Sequence, residues 1–280
     1  MKYQEILNKG SNILKLNNIK SYNLDSEILL SSTLKLDRSQ LLLNLDKNIE
    51  CKEKKIFFNF IERRSKNEPV AYIIGHKEFW KSKFKVNNSV LIPRPDTEII
   101  IEQVIKELNV NSSKKILDIG TGSGCIIISI IKERKKCTGV GVDISKKAIK
   151  LAKYNAKMQH IHNRIKFFKS DIDNFYKDKY DLIISNPPYI KHHEINGLEK
   201  DVKNHEPKVA LDGGVDGYNK IKTIIRKSSI LIKKKGKLFL ELGINQTKDT
   251  IKILNLYGFY KNMVVKDLSN RNRCIISTKI

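Results

Sequence analysis

Residues 115–124, Lys-Ile-Leu-Asp-Ile-Gly-Thr-Gly-Ser-Gly, restrict this chain more than any other stretch. Ile116 to Ile119 is a short, largely apolar run with the length of a buried strand, and it stops at a turn rich in glycine. A helix is expected to begin near Cys125. In an open α/β sheet this is where the chain turns tightly and where a helix N-terminus meets a bound group through bare backbone. The pattern therefore predicts a doubly wound sheet. The glycine spacing lacks both the sixth-position Gly of dinucleotide sites and the Lys of the phosphate loop, which disfavours a dinucleotide or a nucleoside triphosphate.

The following segments repeat the strand-then-helix rhythm. Thr138-Gly-Val-Gly-Val-Asp143 ends on an acid about 20 residues beyond the glycines, where a carboxylate can accept hydrogen bonds from both hydroxyls of a ribose. A helix from Ser145 follows, then a strand from Arg164 to Ser170 ending at Asp171, then Asp181 to Asn186. Three successive strands thus end in polar or acidic residues on one carboxyl edge, the edge on which open α/β sheets bind ligands. Asp118 reads as a support for the glycine turn. The strand at Leu182 to Ile184 runs into Asn186-Pro-Pro-Tyr189, a turn stiffened because each proline holds the residue before it extended. Such a turn presents the Asn186 amide, the Pro187 carbonyl and the Tyr189 ring, with no N–H from either proline. A Gly-rich loop from Glu206 to Gly217, a helix from Tyr218 to Lys233, a strand from Lys237 to Gly243, a helix from Gln246 to Tyr257 and strands Tyr260–Lys266 and Arg273–Thr278 complete a seven-strand count.

Upstream, Ile6, Ile13, Leu14 and Leu16, then Leu24 to Leu36 and Ile56 to Ile61, recur at helical spacing. They predict a bundle of about four amphipathic helices ending near Lys66, a structural or docking module without chemistry of its own. From Glu68-Pro-Val-Ala-Tyr-Ile-Ile-Gly75 through Glu78-Phe-Trp80 and Phe84-Lys-Val86 the texture suits a hairpin linker. Pro93 and Pro95 stiffen the backbone around Arg94, and Asp96 or Thr97 can cap a helix whose apolar face is Ile101, Val104, Ile105 and Leu108.

The formal charge of +24, with a pI near 9.7, points to a polyanionic partner. The cations are mostly Lys, spread along the chain among abundant Asn and Ile, as an A/T-biased genome would also produce, so both readings stand. Cys51, Cys125, Cys137 and Cys274 have neither disulfide nor zinc spacing and read as reduced core residues. The first residues lack the apolar core of a signal peptide, and the apolar stretch from Cys125 to Ile131 is too short for a bilayer. A soluble cytoplasmic protein is expected.

Gly120-Thr-Gly-Ser-Gly124, Asp143, Asp171 and Asn186-Pro-Pro-Tyr189, in that order, resemble the S-adenosylmethionine-dependent methyltransferases that act on planar amino or amide nitrogens. With Pro69-Val-Ala-Tyr-Ile-Ile-Gly75, Leu91-Ile-Pro-Arg-Pro-Asp-Thr-Glu98 and the loop from Glu206 to Gly217, nearly the whole chain is similar to the peptide chain release factor glutamine N5-methyltransferases. The resemblance implies a seven-stranded, Rossmann-like α/β sheet, mostly parallel with an antiparallel last strand. It divides the chain into a helical substrate-docking domain over residues 1–68, a β-hairpin linker over 69–92 and the methyltransferase domain over 93–280. It implies S-adenosylmethionine as cofactor, without a metal, held by Gly120, Thr121, Gly122, Ser123, Gly124, Asp143, Asp171, Ile172 and Asn186. Asn186, Pro187, Pro188 and Tyr189 would hold the substrate, with Asn186, Pro187 and Tyr189 catalytic. Class 1 release factors would be the protein partners of a monomer that requires neither membrane nor nucleic acid. Ile172 departs from relatives that carry an aromatic residue there, and apolar contact would replace a ring stacked on the adenine.

A carboxamide nitrogen is a poor nucleophile because its lone pair is delocalised into the carbonyl. The Asn186 side-chain oxygen and the Pro187 carbonyl can accept both N–H bonds of such a group and stabilise the positive charge that develops on it during attack. Tyr189 would pack on the flat amide and exclude water. The resulting N-methyl amide cation is acidic enough to lose its proton unaided, so His192 and His193 read as solvent-facing loop residues. The same turn could act on a nucleobase amino group in RNA or DNA, or on a glutamine of a ribosomal protein. A non-catalytic binding protein would be expected to show an eroded glycine turn or Asn186, and neither is eroded.

Overall fold

The computed structural model describes residues 1–280, which divide into two compact units: Met1–His76 with Glu199–His205, and Lys77–Leu198 with Glu206–Ile280. The first contains helices α1 (Tyr3–Leu16), α2 (Tyr22–Leu34), α3 (Arg38–Leu42), α4 (Cys51–Ser65) and α5 (Val70–Ile74). Its core gathers Ile6, Leu7, Leu14, Leu29, Leu30, Phe57 and Ile61, whereas Leu16 and Ile56, expected on the same apolar faces, are exposed. Gly10 is required on α1 because a Cβ there would stand 2.6 Å from Phe57 Cζ and 2.8 Å from Ser26 Oγ. Asp37 and Glu50 start α3 and α4 as capping boxes.

A charged pair is sealed into this helical unit. Arg64 Nε donates to Asp25 Oδ2 at 2.7 Å, and Ser21 Oγ donates to the same oxygen at 2.7 Å. Both ionic side chains are 9% exposed. Arg64 also donates to the Glu68 carbonyl and lies 3.9 Å from Asp201, in the segment Lys200–His205. Arg64→Met keeps the volume and strands Asp25 as a buried, unpaired charge. It is expected to cost about 3–5 kcal/mol, read in chemical or thermal unfolding.

The second unit opens with the hairpin β1 (His76–Phe79) and β2 (Ser82–Lys85), whose first residue still belongs to the helical unit. Then come α6 (Glu98–Glu107), β3 (Lys115–Ile119), α7 (Cys125–Glu133), β4 (Thr138–Asp143), α8 (Lys146–Met158), β5 (Ile165–Lys169) and β6 (Tyr180–Ser185). After the excursion that forms α9 (Lys200–His205) the chain continues through α10 (Asn219–Leu231), β7 (Ile232–Glu241), α11 (Thr247–Leu256), β8 (Phe259–Lys266) and β9 (Asn272–Lys279). The seven-stranded sheet has the order β5-β4-β3-β6-β7-β9-β8. Its strands run parallel except β9, which is antiparallel to both β7 and β8. No helix is long and apolar enough to cross a membrane.

The strands are apolar on both faces because helices cover both. Ile116, Leu182 and Ile184 share a core with Ile100, Ile101 and Val104 of α6 and with the Ile126–Ile131 stretch of α7. Leu117, Ile119 and Ile183, one residue out of phase, pack with Ile221, Ile224 and Ile225 of α10 and Leu254 of α11. Asp118 falls on the α7 side by the same alternation.

Residues 69–92, expected as one linker, are shared between the units. Ile73 of α5 is buried in the helical core, whereas Phe79 and Phe84 are buried in the core of the sheet unit, edge to face at 6.1 Å. Apolar side chains on each half of the segment leave it no independent core. Cys125, Cys137 and Cys274 are buried, and Cys51, expected inside, is exposed at the start of α4.

Candidate active site

The strand order turns back between β3 and β6, and in their register Ile119 stands opposite Ser185. Ser185 Oγ donates to the Ile119 carbonyl at 2.7 Å, tying the two strand ends together. The glycine turn and the Asn-Pro-Pro-Tyr turn therefore leave the sheet side by side at its topological switch point. A cavity of about 240 Å³ opens there. Gly120, Thr121, Gly122, Ser123, Asp143, Asp171, Ile172, Asn186, Pro187 and Pro188 all line it.

Gly120, Gly122 and Gly124 all have positive φ, at 74°, 55° and 81°. Nothing lies within 4 Å of where a Cβ would stand on Gly120, so the backbone there borders open space. Gly124 has a different duty from its neighbours. It is the N-cap of α7 and is not in the cavity wall; a Cβ on it would meet Ile128 Cδ1 at 2.9 Å and Ala152 Cβ at 3.2 Å. That close approach lets α7 pack on α8. Thr121 Oγ1 donates to Asp118 Oδ2 at 2.7 Å, so Asp118 holds the turn from beneath. Burial raises the Asp118 carboxyl to about 7, against the lowering pull of the Thr121 hydroxyl.

Asp143 ends β4 at the rim of the cavity. Its Oδ2 accepts from Gly122 N–H at 2.9 Å and its Oδ1 from Ser145 N–H at 2.8 Å. Burial raises its pKa, opposed by those two backbone donors. Each carboxylate oxygen has a second lone pair available to hydroxyls in the cleft. Asp171 Oδ1 accepts from Asp173 N–H at 2.9 Å and caps the 3-10 turn that sets Ile172 on the wall. A cradle of backbone at Gly120–Ser123, a helix N-terminus behind it, a rim carboxylate and an apolar wall fit a ribose-bearing sulfonium cofactor.

On the opposite wall Asn186 Nδ2 donates to Thr97 Oγ1 at 3.1 Å, and Asn186 Oδ1 and the Pro187 carbonyl are engaged by no other group of the chain. Tyr189 reaches into the fold. It is absent from the cavity wall, and its hydroxyl donates to Glu241 Oε1 at 3.3 Å while its carbonyl accepts from Gln246 Nε2. A buried acceptor behind the turn draws the ring inward. His192 lies on the surface against Asp212.

Several residues at this site carry roles that local reading did not reveal. Thr97 makes no side-chain cap to α6 and lines the cavity. Asp96, the other expected cap, pairs with Arg273 at 3.1 Å. Glu206 is buried and accepts from Ile92 N–H at 3.1 Å and from the Arg94 guanidinium, which lines the cavity. Glu241 ends the apolar run Leu238-Phe-Leu240 and is 2% exposed. A lone acid closing a buried strand is the one signal by which sequence could have found it.

Residues 5–75 match the model of the PrmC N-terminal domain, and residues 97–203 match the Methyltransferase small domain. The chain is 40% identical over 278 residues to the release factor glutamine methyltransferase of Fusobacterium nucleatum, covering 98% of this chain and 78% of that one. It is 37% identical over 282 residues to the protein of that name in Clostridium acetobutylicum, covering 100% and 99%. A methyltransferase structure from Pyrococcus furiosus superposes with a TM-score of 0.53 at 15% identity over 79% of this chain and 98% of that chain, a likeness of fold. With both segments matched and full-length identity at this level, the chain belongs to the release factor glutamine methyltransferase family.

Proposed function

We infer that this protein methylates the side-chain amide nitrogen, N5, of the glutamine in the Gly-Gly-Gln loop of class 1 peptide chain release factors. The observation that carries the reading is the Asn186-Pro-Pro turn on the cavity wall, two unengaged acceptors facing a cradle built for the cofactor. S-adenosylmethionine, when bound, supplies an electrophilic sulfonium methyl group. Gly120–Ser123 would receive it through bare backbone, Asp143 through its ribose hydroxyls and Ile172 through apolar contact.

Asn186 Oδ1 and the Pro187 carbonyl accept the two N–H bonds of the substrate amide. Those bonds strengthen as positive charge develops on nitrogen, which makes the turn more complementary to the transition state than to the ground state. Pro187 and Pro188 hold both acceptors in advance, so no reorganisation is needed at the moment of reaction. Tyr189 acts here from behind the turn, through Glu241. The amide proton of the methylated product departs to water, and no side chain is required as base.

In the same reading residues 1–68 dock the release factor, residues 69–92 connect, and residues 93–280 carry the chemistry. The protein works as a cytoplasmic monomer without nucleic acid. Purified protein given methyl-labelled S-adenosylmethionine is expected to label a release factor at its Gly-Gly-Gln loop. Label in tRNA, rRNA, DNA or a ribosomal protein, with none in the release factor, would overturn the assignment.

A further inference from the structure

We propose that Thr97 and Glu241 are positioning residues that set the hydrogen-bond polarity of the Asn186 side chain, so that its oxygen and not its NH₂ faces the substrate amide. The proposal rests on the reading that Asn186 accepts from that amide. A carboxamide has nearly the same shape in its two orientations, related by a half-turn about its last bond. Only one presents an acceptor to the cleft; the other opposes two NH₂ groups. Something in the protein must choose.

The choice is made in the wall of the cleft. Asn186 Nδ2 donates to Thr97 Oγ1 at 3.1 Å, and Thr97 is 3% exposed, so water does not compete for that hydroxyl. A hydroxyl alone decides nothing, because it has one proton and can turn it toward either neighbour. Glu241 removes the freedom. The Thr97 hydroxyl adjoins the Glu241 carboxyl and favours its ionised form, and an ionised carboxylate only accepts. The Thr97 proton is committed to Glu241, its lone pairs are left for Asn186 Nδ2, and Asn186 Oδ1 is left for the cleft.

Glu241 uses only one of its two oxygens in the fold, Oε1, which accepts from Tyr189. It closes β7 inside the core, and its Oε2 has no hydrogen-bond partner. The groups facing it come from every element around it. Thr97 and Asp96 precede α6, Tyr189 follows β6 and donates at 3.3 Å, and Arg273 and the buried Cys274 lie on β9. Burial lifts Glu241 to about 7, opposed by the Thr97 hydroxyl, Arg273 and Tyr189 and reinforced by the negative charge of Asp96. A protonated Glu241 can donate to Thr97, which frees the Thr97 proton to turn toward Asn186 and admits the wrong amide orientation. Turnover is then expected to fall as pH drops through this range. Asp118, also near 7, lies under the cofactor turn and would act on cofactor binding instead.

The test is steady-state methylation of a release factor from about pH 6 to about pH 9, with wild type, Thr97→Val, Thr97→Ser and Glu241→Gln. Thr97→Val is expected to lower kcat about 100-fold, the scale of a misplaced reacting group, with KM for S-adenosylmethionine unchanged. Thr97→Ser, which keeps the hydroxyl, should restore most of that loss, and Glu241→Gln should remove the acid limb of kcat. Thr97→Val with wild-type kcat, equal loss in Thr97→Ser, or an unchanged acid limb in Glu241→Gln would overturn the proposal. If Glu241→Gln fails to fold, the Val and Ser pair decides. Should wild type methylate a different planar nitrogen, the release-factor reading falls, and the same variants run on that substrate still decide the role of Thr97 and Glu241.

Discussion

Replacing Asn186 by Ala is expected to lower kcat toward a release factor by about 10²–10³-fold, the loss seen when one preorganised hydrogen-bonding group is removed from a developing charge. The side chain contributes an acceptor aimed at the cleft, and the Pro187 carbonyl alone cannot satisfy both N–H bonds of a carboxamide. Affinity for S-adenosylmethionine should change much less, because the cradle at Gly120–Ser123 and the Asp143 carboxylate belong to β3 and β4 and not to the Asn186 turn. Rapid-quench turnover set beside calorimetric cofactor titration separates the two quantities. Equal loss in both would make Asn186 chiefly a cofactor ligand.

Asp143→Ala should show the opposite split. Hydrogen bonds to a charged group contribute about 1.5–3 kcal/mol each. Losing two to a ribose therefore weakens cofactor binding by about 3 kcal/mol or more, roughly 100-fold in Kd. The carboxylate also ties Gly122 N–H and Ser145 N–H, so the substitution slackens the glycine turn and the start of α8 together. Asp143→Asn is the sharper probe: it keeps the volume but loses the charge and one acceptor. Calorimetric titration of S-adenosylmethionine into the two variants measures both effects, and wild-type affinity in the alanine variant would remove Asp143 from the ribose role.

Much of the architecture follows from local pattern. The glycine turn after Ile119, the acid at Asp143 and the proline turn after Ser185 are each written in a few adjacent residues, because tight turns and stiff turns depend on backbone freedom that neighbours decide. The alternation of Ile116 with Leu117, and of Leu182 with Ile183, assigns opposite faces of the sheet by period alone. The placing of Gly124 and Tyr189 was less legible. Gly124 is needed for the space beside Ile128 and Ala152, and the Tyr189 hydroxyl is drawn to Glu241, 52 residues further on.

By itself, then, the sequence determined the order of strands and helices and the turn chemistry at the carboxyl edge, including the glycine turn, Asp143 and the Asn186-Pro-Pro turn that line the cleft. Only the tertiary structure decided what stands behind them. Thr97 meets Asn186 across 89 positions, and Glu206 reaches Ile92 and Arg94 across 114 and 112. Hydrogen bonds between residues so far apart leave no periodicity or spacing to read. They arise where burial removes water and each polar group must find its partner inside the fold, as the Asn186 amide does at Thr97.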